Sequence, residues 1–276
     1  MRILPAIDSR GYSSRSTGEL REDFLVDGLF QPGLIVLNYW ETDRTVIGSA
    51  VPDAASLELA CPAELAAHFF NERRELGIIN LGGAGSIEAD GQTHPLGRYD
   101  CLYVGRGVRR VVFSSANPAR PAQFYLLSYP AHTDYPTVLA AIDASPGSNL
   151  GSAGAANARR LHKFIHPDGI KSCQLVMGMT FLQPGSVWNT MPAHTHLRRS
   201  EVYLYFDIAA DAALVHLAGR PEETRHLMVR DRQAVLSPPW SIHSGVGTSN
   251  YSFVWGMGGE NQEFADMNLA PPASLR

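Results

Sequence analysis

The stretch of this chain best suited to chemistry is Met191-Pro192-Ala193-His194-Thr195-His196-Leu197-Arg198-Arg199-Ser200-Glu201, answered far downstream by Pro239-Trp240-Ser241-Ile242-His243-Ser244-Gly245. Two histidines one residue apart, a carboxylate shortly after and a distal histidine are the ingredients of a metal site with open coordination positions. On a strand, alternate side chains share a face, so His194 and His196 point the same way and can bind one ion together. Glu201 lies five residues beyond His196, which reverses the face on an unbroken strand. A turn over Leu197-Arg198-Arg199-Ser200 restores it, with a new strand starting at Glu201 and running through Val202-Tyr203-Leu204-Tyr205-Phe206. That run is rich in aromatic and branched residues, as strands are. His243 must then arrive from a distant strand, which an antiparallel barrel provides. Three His and one Glu suit zinc, iron, manganese, nickel or cobalt, and ligand type alone does not choose among them. An isolated His-x-His is usually incidental; the carboxylate and the turn-framed distal histidine set this one apart. His132, His162, His166, His216 and His226 lack such framing and read as surface or satisfied histidines.

Positioning those four residues takes a β framework, and the chain supplies one twice. In the first half, residues 34–39, 76–81, 86–89, 101–104, 108–113 and 123–128 carry strand patterns, with a tight hairpin at Asp90-Gly91. In the second half the strands fall at 174–180, 187–190, the His194/His196 segment, 201–206, 213–217, 225–229, 233–236 and 251–256. Short strands at this spacing predict an all-β protein of antiparallel barrels or sandwiches. The glycines of Gly82-Gly83-Ala84-Gly85 and Gly105-Arg106-Gly107 lack the strand–glycine–helix context of a phosphate loop, so they read as turn glycines. Residues 1–30 read as an irregular arm with a helical piece at Thr17–Phe24, capped by Thr17, and 54–68 as a loop with a helical turn. Proline, glycine and small polar residues make 130–160 linker-like. The predicted division is an N-terminal metal-free barrel over 1–140, a linker over 141–160 and a metal-binding barrel over 161–276.

Composition narrows the function classes. The 276 residues are enough for two domains of moderate size. A net charge of −4 with no basic block argues against a nucleic-acid partner. No apolar run is long enough for a membrane span, and the N-terminal apolar stretch is too short for a secretory signal. Cys61, Cys101 and Cys173 are odd in number and far apart, which fits a reducing cytoplasm without disulfides. Lysine occurs only at Lys163 and Lys171, against 21 arginines, so arginine at any one position is weak evidence of selection for function.

The paired motifs resemble those of the cupins: His-x-His, then Glu, then a distal His after a proline-containing turn. More narrowly, the chain resembles the 5-keto-4-deoxyuronate isomerases, also called 4-deoxy-L-threo-5-hexosulose-uronate ketol-isomerases. The carrying segments include Phe70-Asn71-Glu72-Arg73-Arg74-Glu75-Leu76-Gly77, Trp188-Asn189-Thr190-Met191-Pro192-Ala193-His194-Thr195-His196, Trp240-Ser241-Ile242-His243-Ser244-Gly245-Val246-Gly247 and Gly259-Glu260-Asn261-Gln262. The resemblance implies a bicupin fold, a homohexamer, one zinc per subunit in the C-terminal barrel, and a place in pectin-derived uronate catabolism. It assigns the metal ligands to His194, His196, Glu201 and His243, the same four reached from spacing.

The reaction so implied moves a carbonyl from C1 to C2 of 4-deoxy-L-threo-5-hexosulose uronate, giving 3-deoxy-D-glycero-2,5-hexodiulosonate. A zinc ion could hold the C1 and C2 oxygens and stabilise an enediolate as a Lewis acid. A base must then move a proton between C2 and C1, unless a hydride shifts instead. Glu260, Glu223 and His166 are the candidates, Glu201 being a poor free base as a ligand. The substrate carboxylate calls for a cation, offered by Arg159, Lys163, Arg198 or Arg199, and Tyr203 and Trp240 could line the pocket. The competing readings are a metal-dependent cupin dioxygenase, a non-catalytic sugar-binding bicupin, and a redox sensor acting through Cys173.

Overall fold

The computed structural model describes residues 1–260 and 266–276; Asn261 and Gln262 of the last family-like segment lie outside the described residues. The chain divides into two compact units. The first comprises Met1–Leu4, Gly28–Pro146 and Phe164–Val176, and the second Pro5–Asp27, Gly147–Lys163 and Met177–Arg276. The division therefore does not fall at a single linker over 141–160. The N-terminal arm belongs with the second unit because Leu25 and Val26 pair with Val235 and Ala234, and because Tyr12 and Phe24 pack on Trp240 with ring centroids 5.1 and 6.3 Å away. Its helix spans Thr17–Phe24 as expected. The cap is Ser16 rather than Thr17, in a reciprocal capping box with Glu19.

Each unit is built mostly of β-strands, and eight strands recur in both. In the first unit they are β1 (Thr45–Ala50), β2 (Leu57–Glu58), β3 (Arg74–Asn80), β4 (Gly85–Ala89), β5 (Gln92–Leu96), β6 (Cys101–Val104), β7 (Val111–Ser115) and β8 (Phe124–Pro130). In the second they are β9 (Val176–Leu182), β10 (Trp188–Asn189), β11 (Arg199–Phe206), β12 (Leu214–Arg220), β13 (Glu223–Val229), β14 (Ala234–Ser237), β15 (Ser244–Gly247) and β16 (Ser252–Gly259). The sheet order β1-β8-β3-β6 with β2-β7-β4-β5 in one matches β9-β16-β11-β14 with β10-β15-β12-β13 in the other. The two halves are thus the same topology written twice. Among the described residues, no helix is long and apolar enough to cross a membrane.

Register shows why only one half carries the metal-type cluster. Leu76 of β3 pairs with Val104, the last residue of β6, as Glu201 of β11 pairs with Ser237, the last residue of β14. Two residues along, Ile78 stands where β11 has Tyr203. Leu76 and Ile78 join Leu102, Val104, Phe113 and Phe124 in the buried apolar core of the first unit. Alternation along a strand makes this an either/or choice: a position facing the interior is filled by a hydrophobe or by a functional group.

Between those two hydrophobes, Glu75 faces away from that core and is wholly buried. Its Oε1 accepts from the Gln174 and Leu175 amides at 2.7 Å each, and its Oε2 from the Cys173 amide at 2.7 Å and the Tyr103 hydroxyl at 2.8 Å. One carboxylate thus satisfies three consecutive N–H groups, two of them on the buried residues Cys173 and Leu175. Glu75→Gln puts an NH₂ against donors and should lower stability by roughly 3 kcal/mol. Urea denaturation measures it, and an unchanged midpoint would mean that these amides find other acceptors.

Candidate metal centre

His194 lies in the short strand Ala193–Thr195, which pairs antiparallel with Asn268–Ala270. His196 follows, its N–H donating to the Pro239 carbonyl at 3.2 Å. The chain bends at Leu197 and Arg198 and enters β11 at Arg199, two residues earlier than expected. Arg199 and Ser200 are buried, and pairing with Gly259 and Gly258 provides for backbone groups that turn geometry would leave unmet. Glu201 is therefore the third residue of its strand.

His243 immediately precedes β15, and Asn189 of β10 fixes that approach. The Asn189 Oδ1 accepts from the Gly245 amide at 3.1 Å, and its carbonyl accepts from Ser244 Oγ at 2.9 Å. A Cβ on Gly245 would lie 2.8 Å from Tyr205 Oη and 2.9 Å from Asn189 Nδ2, so only glycine fits there.

The four side chains meet at one point. His243 Nε2 is 2.9 Å from Glu201 Oε2 and 3.1 Å from His194 Nε2, and His196 Nε2 is 3.3 Å from Glu201 Oε2. Their ligand atoms all lie within 4.8 Å of one another, and all four residues are buried. His196 Nε2 and Glu201 Oε2 are sealed from solvent with no hydrogen-bond partner. Three imidazole nitrogens and a carboxylate aimed at a common centre, two of the atoms unsatisfied, fit a divalent cation of the zinc-to-manganese class. Burial, with His243 next in importance, lowers the His194 pKa to about 3, which keeps this imidazole neutral and its lone pair available. Burial works to raise the Glu201 carboxyl, yet the neighbouring His243 and His196 imidazoles hold it well below its ordinary range. The carboxylate stays ionised, as a ligand must.

Behind the centre stand groups that aim the rings. Asp266 Oδ1 is 2.7 Å from Arg199 Nη2 and 3.4 Å from His196 Nδ1, and Ser237 Oγ is 3.4 Å from His243 Nδ1. With Nδ1 turned to these partners, Nε2 faces the site. Asp266→Asn, which keeps the shape and removes the charge, should weaken metal affinity roughly 10- to 100-fold. Competition against a chelating dye reads this directly, and wild-type affinity would remove Asp266 from the centre.

Residues 31–271 match the sequence profile of the KduI/IolB family. The chain belongs to the KduI/IolB family. Among its relatives, the 4-deoxy-L-threo-5-hexosulose-uronate ketol-isomerase of Caldicellulosiruptor bescii is 49% identical over 276 residues, covering 100% of both chains. The protein of the same name from Kineococcus radiotolerans is 54% identical over 263 residues, 94% of each. Among solved structures, an IolB-like protein from Salmonella typhimurium superposes with a TM-score of 0.71 at 14% identity, over 89% of this chain and 96% of that one. The oxalate decarboxylase of Lactobacillus farciminis gives 0.57 at 10% identity, over 88% and 89%. At such identities these two structures speak for the fold alone.

In this family member the centre opens into a cavity of 270 Å³ within the second unit. Of the sequence-predicted residues, Arg159, Arg199 and Tyr203 line it together with His194, His196 and Glu201. Arg159 is half-buried, and its Nη1 donates to the Asn157 carbonyl at 2.9 Å. Arg199 is committed to Asp266, so it braces the site rather than reaching for substrate. Tyr203 Oη shares a 2.9 Å hydrogen bond with Thr190 Oγ1, and burial, followed by the Glu201 charge, raises its pKa well above the ordinary value.

The other candidates lie elsewhere. Arg198 is exposed, and its Nε lies 3.7 Å from Asp266 Oδ2. Lys163 is exposed on the strand that carries Arg159, two residues past the lining residue Leu161. Trp240 is half-buried and packs edge-on against Tyr12 and Phe24. Glu223 is exposed at the start of β13, and Glu260 is exposed just after β16. His166 belongs to the first unit, where its Nδ1 accepts from the Asp168 amide at 3.2 Å. None of these six lines the cavity. Sequence reasoning missed Asp266, Thr190 and the role of Asn189. Thr190 had one local signal, its place just before Met191-Pro192, and it adopts a left-handed φ of 50° that a β-branched residue rarely takes.

Proposed function

We propose that this protein is an aldose–ketose isomerase converting 4-deoxy-L-threo-5-hexosulose uronate to 3-deoxy-D-glycero-2,5-hexodiulosonate. The observation that carries the reading is the match, over the whole chain, to relatives named for that reaction. The site's chemistry agrees with it. His194, His196, Glu201 and His243 would hold the ion, which we take to be zinc, one per subunit. When bound, such an ion supplies a Lewis acid that polarises the carbonyl and hydroxyl oxygens at C1 and C2. Arg159 is the lining cation that has no carboxylate partner among the described residues, and we assign it to the substrate carboxylate. Tyr203, neutral and held by Thr190, is placed to donate a hydrogen bond to a substrate oxygen. The buried side chains of Phe253, Trp255 and Met257 give the cavity an apolar wall, which strengthens each polar contact beside it. The repeated strand order supports reading the units as two cupin barrels, only the second holding metal. We further take the enzyme to be a cytoplasmic homohexamer of uronate catabolism.

The test is direct. Metal-loaded protein is given the breakdown product of an unsaturated uronate, and carbon NMR follows C1 and C2. Loss of the aldehyde with growth of a C2 ketone, without oxygen uptake, is the expected result. Oxygen consumption on turnover would put a dioxygenase in its place. Tight binding of the uronate with no conversion would make it a sugar-binding protein.

A further inference from the structure

The first unit has a cavity of its own, 230 Å³, which nothing in the isomerase reading uses. Three arginines line it: Arg44, Arg73 and Arg74. Arg74 is only 7% exposed. Its Nε donates to Ser128 Oγ at 3.0 Å, and its Nη2 to the carbonyls of Arg44 and Ser128 at 2.6 and 2.8 Å. Every one of those acceptors is neutral. No described carboxylate pairs with Arg74, and its Nη1 has no hydrogen-bond partner among the described residues. A buried guanidinium without a counter-charge is costly, and proteins rarely leave one so. Arg44 and Arg73 are exposed at the rim, and neither side chain has an ion-pair or hydrogen-bond partner among the described residues. The acid on the cavity wall, Glu64, is paired with the N-terminal amine of Met1 at 3.3 Å instead of with an arginine.

Two further observations point the same way. Asp43 and Arg44 both have left-handed φ, 52° and 53°, in consecutive non-glycine residues. Such a conformation persists where its surroundings over-determine it, and Arg74 grips the Arg44 carbonyl. The second observation comes from the repeat. Arg74 is the first residue of β3 and pairs with Pro130 of β8; Arg199 is the first residue of β11 and pairs with Gly259 of β16. Arg74 thus holds in the first unit the place that Arg199 holds in the second. Arg199 has the Asp266 carboxylate 2.7 Å away, whereas Arg74 has the cavity.

We propose that the Arg44–Arg73–Arg74 cavity binds the carboxylate of a small organic acid, which takes against Arg74 the part Asp266 takes against Arg199. The planar fork of a guanidinium matches a carboxylate's two oxygens, and the rim arginines add charge from outside. Tyr39 and Phe70 supply an apolar wall for a short carbon body. The volume lies just below the roughly 300–1,000 Å³ of drug-sized sites, which suits an acid of a few carbons.

Isothermal titration of the full-length, metal-loaded protein with malonate tests this, with inorganic phosphate as the competing anion. Malonate should bind once per chain, and Arg73→Ala and Arg44→Ala should each weaken it at least about tenfold. Both variants should keep wild-type isomerisation, and the malonate heat should survive in His196→Ala, which separates this site from the metal centre. The proposal is overturned if wild type gives no malonate heat that Arg73→Ala removes. It is equally overturned if phosphate binds more tightly than malonate, since the site would then be a phosphate site.

Discussion

His243→Ala should lower kcat/KM by roughly 10³-fold or more and leave the protein with little bound metal, while its circular dichroism stays that of wild type. The magnitude follows from position. His243 Nε2 is the atom that approaches both Glu201 and His194, at 2.9 and 3.1 Å, and His243 is the member of the cluster that comes from the distal segment. Removing it leaves three ligands from one local stretch, 194–201, with one wall of the site missing. The fold should survive. The segment around residue 243 is held by the Asn189 hydrogen bonds to Ser244 and Gly245, which do not involve the imidazole. The two readouts must fall together. Chelated wild type should match the variant, and added zinc should restore wild type alone. A variant that keeps full activity after losing its metal would end the metal-centre reading.

That the four clustered residues were legible in the sequence has a plain cause. His194 and His196 share a face by strand alternation, and Glu201 is brought back by a bend too short to go elsewhere. His243 needed only a β framework in which distant strands adjoin. What the sequence did not disclose is equally physical. Asp266 reaches His196 because Asn268–Ala270 pairs with Ala193–Thr195, and no periodicity announces a three-residue pairing across that separation. Arg198, Lys163, Glu223 and Trp240 carry suitable chemistry, but side-chain type says nothing of which cavity a residue faces. The strand begins at Arg199 rather than Glu201 because burial forces backbone pairing earlier than turn composition implied. The arm 5–27 joins the second unit through Leu25, Val26 and Trp240, a tie over about two hundred residues that local composition cannot register.

Arg159 is where the assignment of substrate chemistry is most exposed to test. Arg159→Ala should reduce kcat/KM roughly 10²- to 10³-fold, chiefly through KM, with metal content unchanged. The carboxylate of the uronate lies at the far end of the molecule from C1 and C2. An interaction there is made alike in ground and transition states, and its loss therefore appears as weaker binding. Arg159 is set up for such a contact. Burial lowers its pKa; a guanidinium nonetheless keeps its charge in proteins, and its Nη1 is anchored to the Asn157 carbonyl, which pre-orients the fork. Arg159→Lys should recover only part of the loss, because a point charge replaces a planar bidentate donor. The competing arginine gives the opposite pattern. Arg199 is held by Asp266 against His196, so Arg199→Ala should cost metal affinity before it costs KM. If Arg159→Ala leaves KM as it was, the carboxylate binds elsewhere, and the half-buried charge on the cavity wall has another purpose.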